Sequence, residues 1–510
     1  MSETFDIKPA QSPALSPDLS PARLAGAAAM AVGLTLYTAL AAAATIIYPP
    51  IGAAFLVPLL LGVVAVAPAA KASPRRIAMA LILVAAFLLP VWPVYLFVKL
   101  GPAPILTPPR LVLYVVSAFF VYDMVFSPWR RAQFVLAVRK SGAVSVFVFL
   151  FFIIGLFSLP LAEGRSVAIP EFARQAIIWL IPYCAVLTYC RRQRDFVAIM
   201  KVFTIGAFLV ALIAIGEAAT HKLMANLLSP FMADSAEWVK NAQSEKIRDG
   251  VFRAQASHTH PLSLGEHLAF SAPFALAFLI TTKSLRARQF WGVVFVSIAL
   301  AAVATNSRGA ILVMIVGIGS MSAMLGWRFL KRASATRWRP MAGLLCVLCL
   351  LASPVAAIGA HAVISGKSGA SAANSTQSRI DQMEQAWPKI LKRPVGGYGT
   401  GRSTRVLGYW GLTLTIDNYY LSLALDYGFP GPIVFFLMLA SFAAAALYRV
   451  GRCHPSMTAI YLACFTAPVS IAIGRSITSQ TGNLTIIFVM MAAFAGASVT
   501  FSRRRSRNRL

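Results

Sequence analysis

Three arginines of this 510-residue sequence, Arg174, Arg253 and Arg308, stand at the edges of apolar runs, and an acid and an amide, Asp417 and Asn418, open another. A guanidinium is a planar fork that grips phosphate oxygens two at a time. At a lipid boundary it is costly unless it snorkels or finds a partner. Each arginine alone reads as an interfacial anchor; three beside a basic loop point to a shared anionic partner, a lipid-linked phosphate or pyrophosphate. Asp417 has two readings. It is a base that takes a proton from a hydroxyl, for which burial must raise its ordinary pKa of about 3.9, or it is an N-cap that accepts backbone N–H bonds and stays ionised. Asn418 positions substrate or the loop backbone. His258 and His260 are proton-transfer groups or satisfied structural histidines, and Glu266 either snorkels or pairs with one of the arginines.

These residues must be positioned by membrane helices. The chain is 58% hydrophobic and 12% charged, about half the charged fraction of a soluble domain. Apolar runs long enough to cross about 30 Å of hydrocarbon recur at 24–47, 51–70, 77–99, 111–127, 143–160, 172–190, 196–217, 262–282, 290–306, 309–328, 341–362, 417–447, 457–475 and 481–501. The expected fold is therefore an all-α polytopic membrane protein of about 14 transmembrane helices. The twelfth is expected to bend at "GFPG" (428–431), where proline interrupts helical bonding.

Basic loops stay in the cytoplasm. With the N-terminus inside, "KASPRR" (71–76), "RRAQFVLAVRK" (130–140), "RRQR" (191–194), "KSLRAR" (283–288), "RFLKRASATRWR" (328–339), "RVGR" (449–452) and the tail "RRRSRNR" (503–509) all fall inside. Both termini are then cytoplasmic. The net charge of +29 is topology signal with some contact to anionic membrane lipids, and a nucleic-acid partner is excluded as its explanation. Residues 1–23 read as a disordered cytoplasmic tail, 24–362 as helices 1–11 with an outer loop at 218–261, and 417–501 as helices 12–14. The closing 502–510 form a basic cytoplasmic tail. The segment 363–416 is an outer loop domain with Lys367, Arg379, Lys389, Lys392, Arg393, Arg402 and Arg405 against Asp381 and Glu384. "CVLC" (346–349) has CxxC spacing, but inside an apolar run it reads as packing, and the sequence offers no metal site or cofactor fingerprint.

The ordered set "RAQASHTHPLSLGEHLAFSAPFALAFL" (253–279), "TNSRGAIL" (305–312), "RIDQMEQAWPKILKRPVGGYGTG" (379–401) and "DNYYLSLALDYGFPG" (417–431) resembles the O-antigen ligase/polymerase superfamily of bacterial polysaccharide assembly. The resemblance implies a GT-C-like inner-membrane glycosyltransferase. Its partner would be a glycan on undecaprenyl pyrophosphate, moved on the periplasmic face, with a chain-length regulator as a further possible partner. It also implies that Arg174, Arg253 and Arg308 bind pyrophosphate, with Arg379 in the periplasmic loop domain beside them. Ligases of this type carry His before Asn at the helix entrance; here Asp417 replaces it, which turns the expectation toward a Wzy-type polymerase with Asp417 and His260 as catalytic residues and Asn418 and Glu266 as positioning residues. A lipid A-core ligase is the alternative. A transporter or flippase places ionisable residues near the bilayer midplane in repeated halves; here no repeat is found, and beyond the basic cytoplasmic loops the charges avoid the midplane and gather on the outer side.

Overall fold

A backbone in hydrocarbon has no water to satisfy its N–H and C=O groups, so it must pair them within itself. The computed structural model, which describes residues 72–98, 106–231, 242–248, 250–332, 369–409 and 416–507, is accordingly almost all helix. In chain order the longer helices are α1 (Arg75–Val91), α2 (Pro108–Phe126), α3 (Pro128–Ser141), α4 (Ala143–Ser158), α5 (Arg165–Tyr189), α6 (Gln193–Thr220) and α7 (Pro261–Thr281). They continue with α8 (Leu285–Ala304), α9 (Arg308–Arg332), α10 (Gly369–Lys392), α11 (Tyr419–Tyr427), α12 (Pro430–Val450), α13 (Thr458–Arg475) and α14 (Leu484–Arg507). A two-residue antiparallel pair, Ile247–Arg248 with Val251–Phe252, is the one sheet among the described residues.

Eight helices among the described residues are long and apolar enough to cross a membrane, and a ninth is reached if α3 and α4 count as one broken span. The expected runs 24–47, 51–70 and 341–362, with the tail 1–23, lie outside the described residues. Three expectations change. Run 77–99 stops at Val91 because Pro93 follows closely and the residue before a proline is pushed to extended backbone. "RRAQFVLAVRK", read as a loop, is helix α3, capped by Ser127 and turned 103° from α4 at Gly142. The basic segment after 502 continues α14 as far as Arg507.

α7 and α13 lie deepest: 78% and 72% of their apolar windows are buried, against 33% for α2 and α8. α7 packs against α6, α8, α9 and α13. Along this order the ends of α8 and the starts of α7 and α9 fall at one end of the bundle, together with the α13–α14 loop and the entrance to α11. The basic turns 191–194 and 283–288 fall at the other.

The expected bend in run 417–447 is a complete break, with α11 ending at Tyr427 and α12 starting at Pro430. Gly428 between them has φ +74°, and a Cβ there would stand 2.3 Å from the Pro394 carbonyl oxygen. Both conditions demand glycine. Gly428→Ala is expected to lower stability by more than about 1 kcal/mol, read as a drop in thermal midpoint in detergent.

Candidate functional site

Arg253 is held by the turn that opens α9. Its Nε donates to the Thr305 carbonyl at 3.0 Å, and Ala254 N–H donates to the Ala304 carbonyl at 3.1 Å. That turn passes through Asn306 at φ +43° and lets Ser307 Oγ accept the Ala310 N–H at 3.3 Å, so α9 begins at Arg308. The structure thus brings Arg253 and Arg308 to one turn although 55 residues separate them in sequence. One guanidinium nitrogen of Arg253, Nη2, is buried with no partner among the described residues. Burial, with Arg248 nearby, pulls the Arg253 pKa down to about 10, which leaves it charged at neutral pH.

The start of α7 lies against the start of α9. A Cβ on Gly265 would stand 2.3 Å from the Ala310 Cβ, so the two helix entrances are as close as a missing side chain allows. Helix N-termini carry unsatisfied N–H groups and partial positive charge. At α7 these groups are taken, since Pro261 has no N–H and those of Leu262, Ser263 and Leu264 donate to His260, so the N-terminus of α9 beside the two arginines makes the anion-seeking corner.

His260 caps α7: its Nδ1 accepts the Leu262 N–H at 3.1 Å. A backbone N–H can only donate, so the proton of the neutral ring sits on Nε2. Burial, reinforced by Arg253 and Lys246, pushes its pKa down to about 3. In this geometry the basic nitrogen of His260 is engaged by the Leu262 N–H, and its Nε2–H is left as a donor.

Glu266 has an arginine partner, and it is none of those expected. Its Oε2 accepts from Arg475 Nη2 at 2.8 Å and from Asn483 Nδ2 at 2.8 Å, deep between α7 and α13. Arg475 also donates to the Gln480 carbonyl and lies 5.3 Å from the Tyr419 ring centre. Glu266 is thus a buried brace for the α13–α14 loop. Removing one partner of such a pair leaves a bare buried charge. Arg475→Met is expected to cost about 3–5 kcal/mol, and Glu266→Gln with Arg475→Met markedly less, checked by thermal unfolding of the single and double variants.

The entrance to α11 separates the roles of its acid and its amide. Asn418 is the N-cap: its Oδ1 accepts the N–H of Tyr420 at 2.9 Å and of Leu421 at 3.3 Å. The capping alternative for Asp417 is thereby overturned. Asp417 is fixed through its backbone, its N–H donating to Gln382 Oε1 of α10 at 2.9 Å, and no described residue hydrogen-bonds its carboxylate. Burial raises its pKa, and Arg379 of α10 opposes the rise from nearby. Ser479 Oγ, which donates to the Ile416 carbonyl, joins this entrance to the α13–α14 loop, and Gln480 in that loop accepts from Ser263 of α7. Through Ser479 and Gln480 the α13–α14 loop therefore links the backbone beside Asp417 to the start of α7.

Arg174 belongs to a different group. It is paired with Glu171 on its own helix, Nε to Oε2 at 2.8 Å, and faces Arg110 and Tyr114 of α2. A π-helical turn, Ala176–Leu180, follows it. The glycine-rich turn 396–401 lies over Glu171, where a Gly401 Cβ would meet Glu171 Cγ at 2.7 Å. That turn is clasped by Asp426 of α11, which accepts the N–H groups of Gly401, Arg402 and Ser403 at 2.9, 3.0 and 2.7 Å.

Sequence reasoning missed Arg475. Its only signal is an arginine in the last turn of an apolar run, indistinguishable from a boundary anchor until Glu266 is seen opposite.

Residues 293–436 match a family model described as O-antigen ligase. The matched stretch includes Arg308, Arg379, Asp417 and Asn418, while Arg174, Arg253, His260 and Glu266 precede it. No curated protein matches the chain.

Proposed function

We propose, for a chain that carries an O-antigen ligase domain at residues 293–436, that it is a glycosyltransferase of the bacterial inner membrane. On this reading it polymerises repeat units carried on undecaprenyl pyrophosphate, at the periplasmic face. About 14 GT-C-like spans would leave both termini in the cytoplasm and put the corner built by Arg253 and Arg308 outside.

One observation carries the reading: Arg253 is bonded to the turn that opens α9 at Arg308, beside the start of α7. Transfer from a diphosphate donor needs its departing charge stabilised and the attacking hydroxyl oriented and deprotonated. Arg253, Arg308, the N-terminus of α9 and the His260 Nε2–H would do the first. Arg379 would hold the charged glycan or diphosphate near the α11 entrance, and Arg174 would serve at the rim. Asp417 would do the second: the acceptor oxygen bonds to the anomeric carbon, the bond from that carbon to the diphosphate oxygen breaks, and the hydroxyl proton passes to the carboxylate. Asn418 acts indirectly, by holding α11, and Glu266 by bracing the loop.

Asp417 in place of the ligase-type His favours a polymerase; a ligase acting on lipid A-core is the second reading. Purified protein given lipid-linked repeat units alone distinguishes them. A polymerase yields a ladder of longer lipid-linked chains, and a ligase yields none until a lipid A-core acceptor is added. Disrupting the gene tests the same point in the host. Loss of a polymerase leaves single lipid-linked units at the periplasmic leaflet, whereas units trapped on the cytoplasmic leaflet would mark a flippase instead.

A further inference from the structure

Beside the cationic corner lies a cleft of about 300 Å³ that none of the steps above uses. Three segments build it. The strap after α1 supplies Trp92, whose ring is fixed by a bond from Nε1 to the Leu96 carbonyl at 2.8 Å. The segment entering α7 supplies His258, Thr259 and Ser263, and the α13–α14 loop supplies Gln480 and Asn483. Strap and segment are stitched together: Val94 N–H donates to the Ser257 carbonyl at 3.2 Å, and Ser257 Oγ donates to the Pro90 carbonyl at 2.7 Å. The walls are therefore preformed.

The lining is what distinguishes the cleft. It presents hydroxyls, amides, an imidazole, the Trp92 ring and the apolar Leu89, Pro90 and Val94, and no Asp, Glu, Lys or Arg. A phosphate or a carboxylate would call for a guanidinium or an ammonium here. A lipid tail would call for a lining apolar throughout, without the hydroxyls and amides of Ser257, Thr259, Ser263, Gln480 and Asn483. A neutral polyol needs many donors and acceptors together with one apolar face. The polar groups are also partly pre-set. Asn483 donates to the Ser263 carbonyl at 2.9 Å and to Glu266, and the Gln480 Oε1 accepts from the Ser263 hydroxyl, which leaves the Gln480 amide hydrogens for a ligand. The volume lies at the lower end of about 300–1,000 Å³ for small-molecule sites.

We propose that this cleft is a sugar subsite that binds one uncharged pyranose of the lipid-linked glycan, beside the corner where Arg253 and Arg308 meet. It rests on the function proposed above for the identity of the cargo. The pyranose comes either from the donor, next to its diphosphate, or from the growing end of the acceptor.

Gly482 sits on the rim with open space where a Cβ would stand, so it accepts a side chain. In full-length protein in detergent, the maleimide labelling rate of Gly482→Cys is measured against the unsubstituted protein as background for its six native cysteines. The probes are glycan on undecaprenyl pyrophosphate, the released glycan without phosphate, and bare undecaprenyl pyrophosphate. The lipid-linked glycan is expected to slow labelling several-fold and the bare lipid to leave it unchanged. Slowing by the released glycan as well assigns the acceptor sugar; slowing by the lipid-linked form alone assigns the donor sugar. Slowing by bare undecaprenyl pyrophosphate overturns the proposal, since the cleft then holds the headgroup, and so does an unchanged rate with all three probes. A second variant, Gly482→Trp, fills the cleft and is expected to lose polymer while still binding bare undecaprenyl pyrophosphate. Polymer at the parent rate from Gly482→Trp overturns the sugar subsite while leaving the diphosphate corner intact; loss of diphosphate binding is tested separately at Arg253.

Discussion

Arg253→Ala and Arg308→Ala are each expected to abolish measurable polymer formation, a loss of about 10²–10³ or more in turnover per donor removed, while the protein still inserts and purifies. The leaving diphosphate gathers charge as its bond to the sugar breaks, and groups fixed in place beforehand stabilise that charge without reorganising. Arg253 is fixed in this sense, its Nε held by Thr305 and its Nη2 buried without a partner among the described residues. Arg253→Lys is expected to recover little. An ammonium keeps the charge but loses the fork, which holds the turn with one nitrogen and offers another to a ligand. Binding of bare undecaprenyl pyrophosphate, measured apart from turnover, should weaken in the same order. Wild-type polymer from both alanine variants would remove the diphosphate corner from the mechanism.

Asp417→Asn is expected to reduce turnover about 10²–10⁴-fold without loss of fold. Asn418 already caps α11, so nothing in the helix start depends on the Asp417 carboxylate. A base works only when ionised, so activity should fall as pH drops through the Asp417 pKa, and that limb should sit above the ordinary carboxylate value of about 3.9 because burial raises it. The same shift sets the sign of its effect on stability. An acid whose folded pKa is raised costs stability when ionised, above that pKa, and the cost vanishes as pH falls below the unfolded value. Asp417→Asn should therefore keep or raise the thermal midpoint at neutral pH while activity is lost. Asn418→Ala should do the converse, lowering stability by about 0.5–2 kcal/mol with a smaller effect on turnover. Full activity in Asp417→Asn would end its role as base.

Much of the scaffold is legible from residue order. Hydrocarbon demands long apolar runs, so α5 to α9, α12 and α13 fall where hydropathy puts them, and proline and glycine mark the breaks after Val91 and at Gly428. The convergence of Arg253 on Arg308 is also legible, because one membrane crossing out and one back return the chain to the same side. Pairings between distant helices are not. Glu266 and Arg475 are 209 residues apart, and nothing local tells a brace from a ligand. Local competition hides the rest. Asp417 and Asn418 are both good caps, and only the path of the chain over α10 decides which one turns inward. His260 looks like a base until the Leu262 N–H occupies its free nitrogen. Helix α3 reads as a loop because its arginines dilute the apolar signal, although Arg130 is buried against Asp123 at 3.2 Å.

The clasp by Asp426 ties the glycine-rich turn to α11, while Gln382 ties α10 to the backbone of Asp417. Buried side chains from α10, the turn and α11, among them Ala386, Ile390, Tyr398 and Leu425, form one apolar cluster. α10, the glycine-rich turn, α11 and the backbone of Asp417 are thus tied into one packed unit. On the function proposed above, any displacement of that unit to admit a long polymer would also carry the Asp417 carboxylate away from Arg253 and Arg308, so that access and base catalysis would oppose each other.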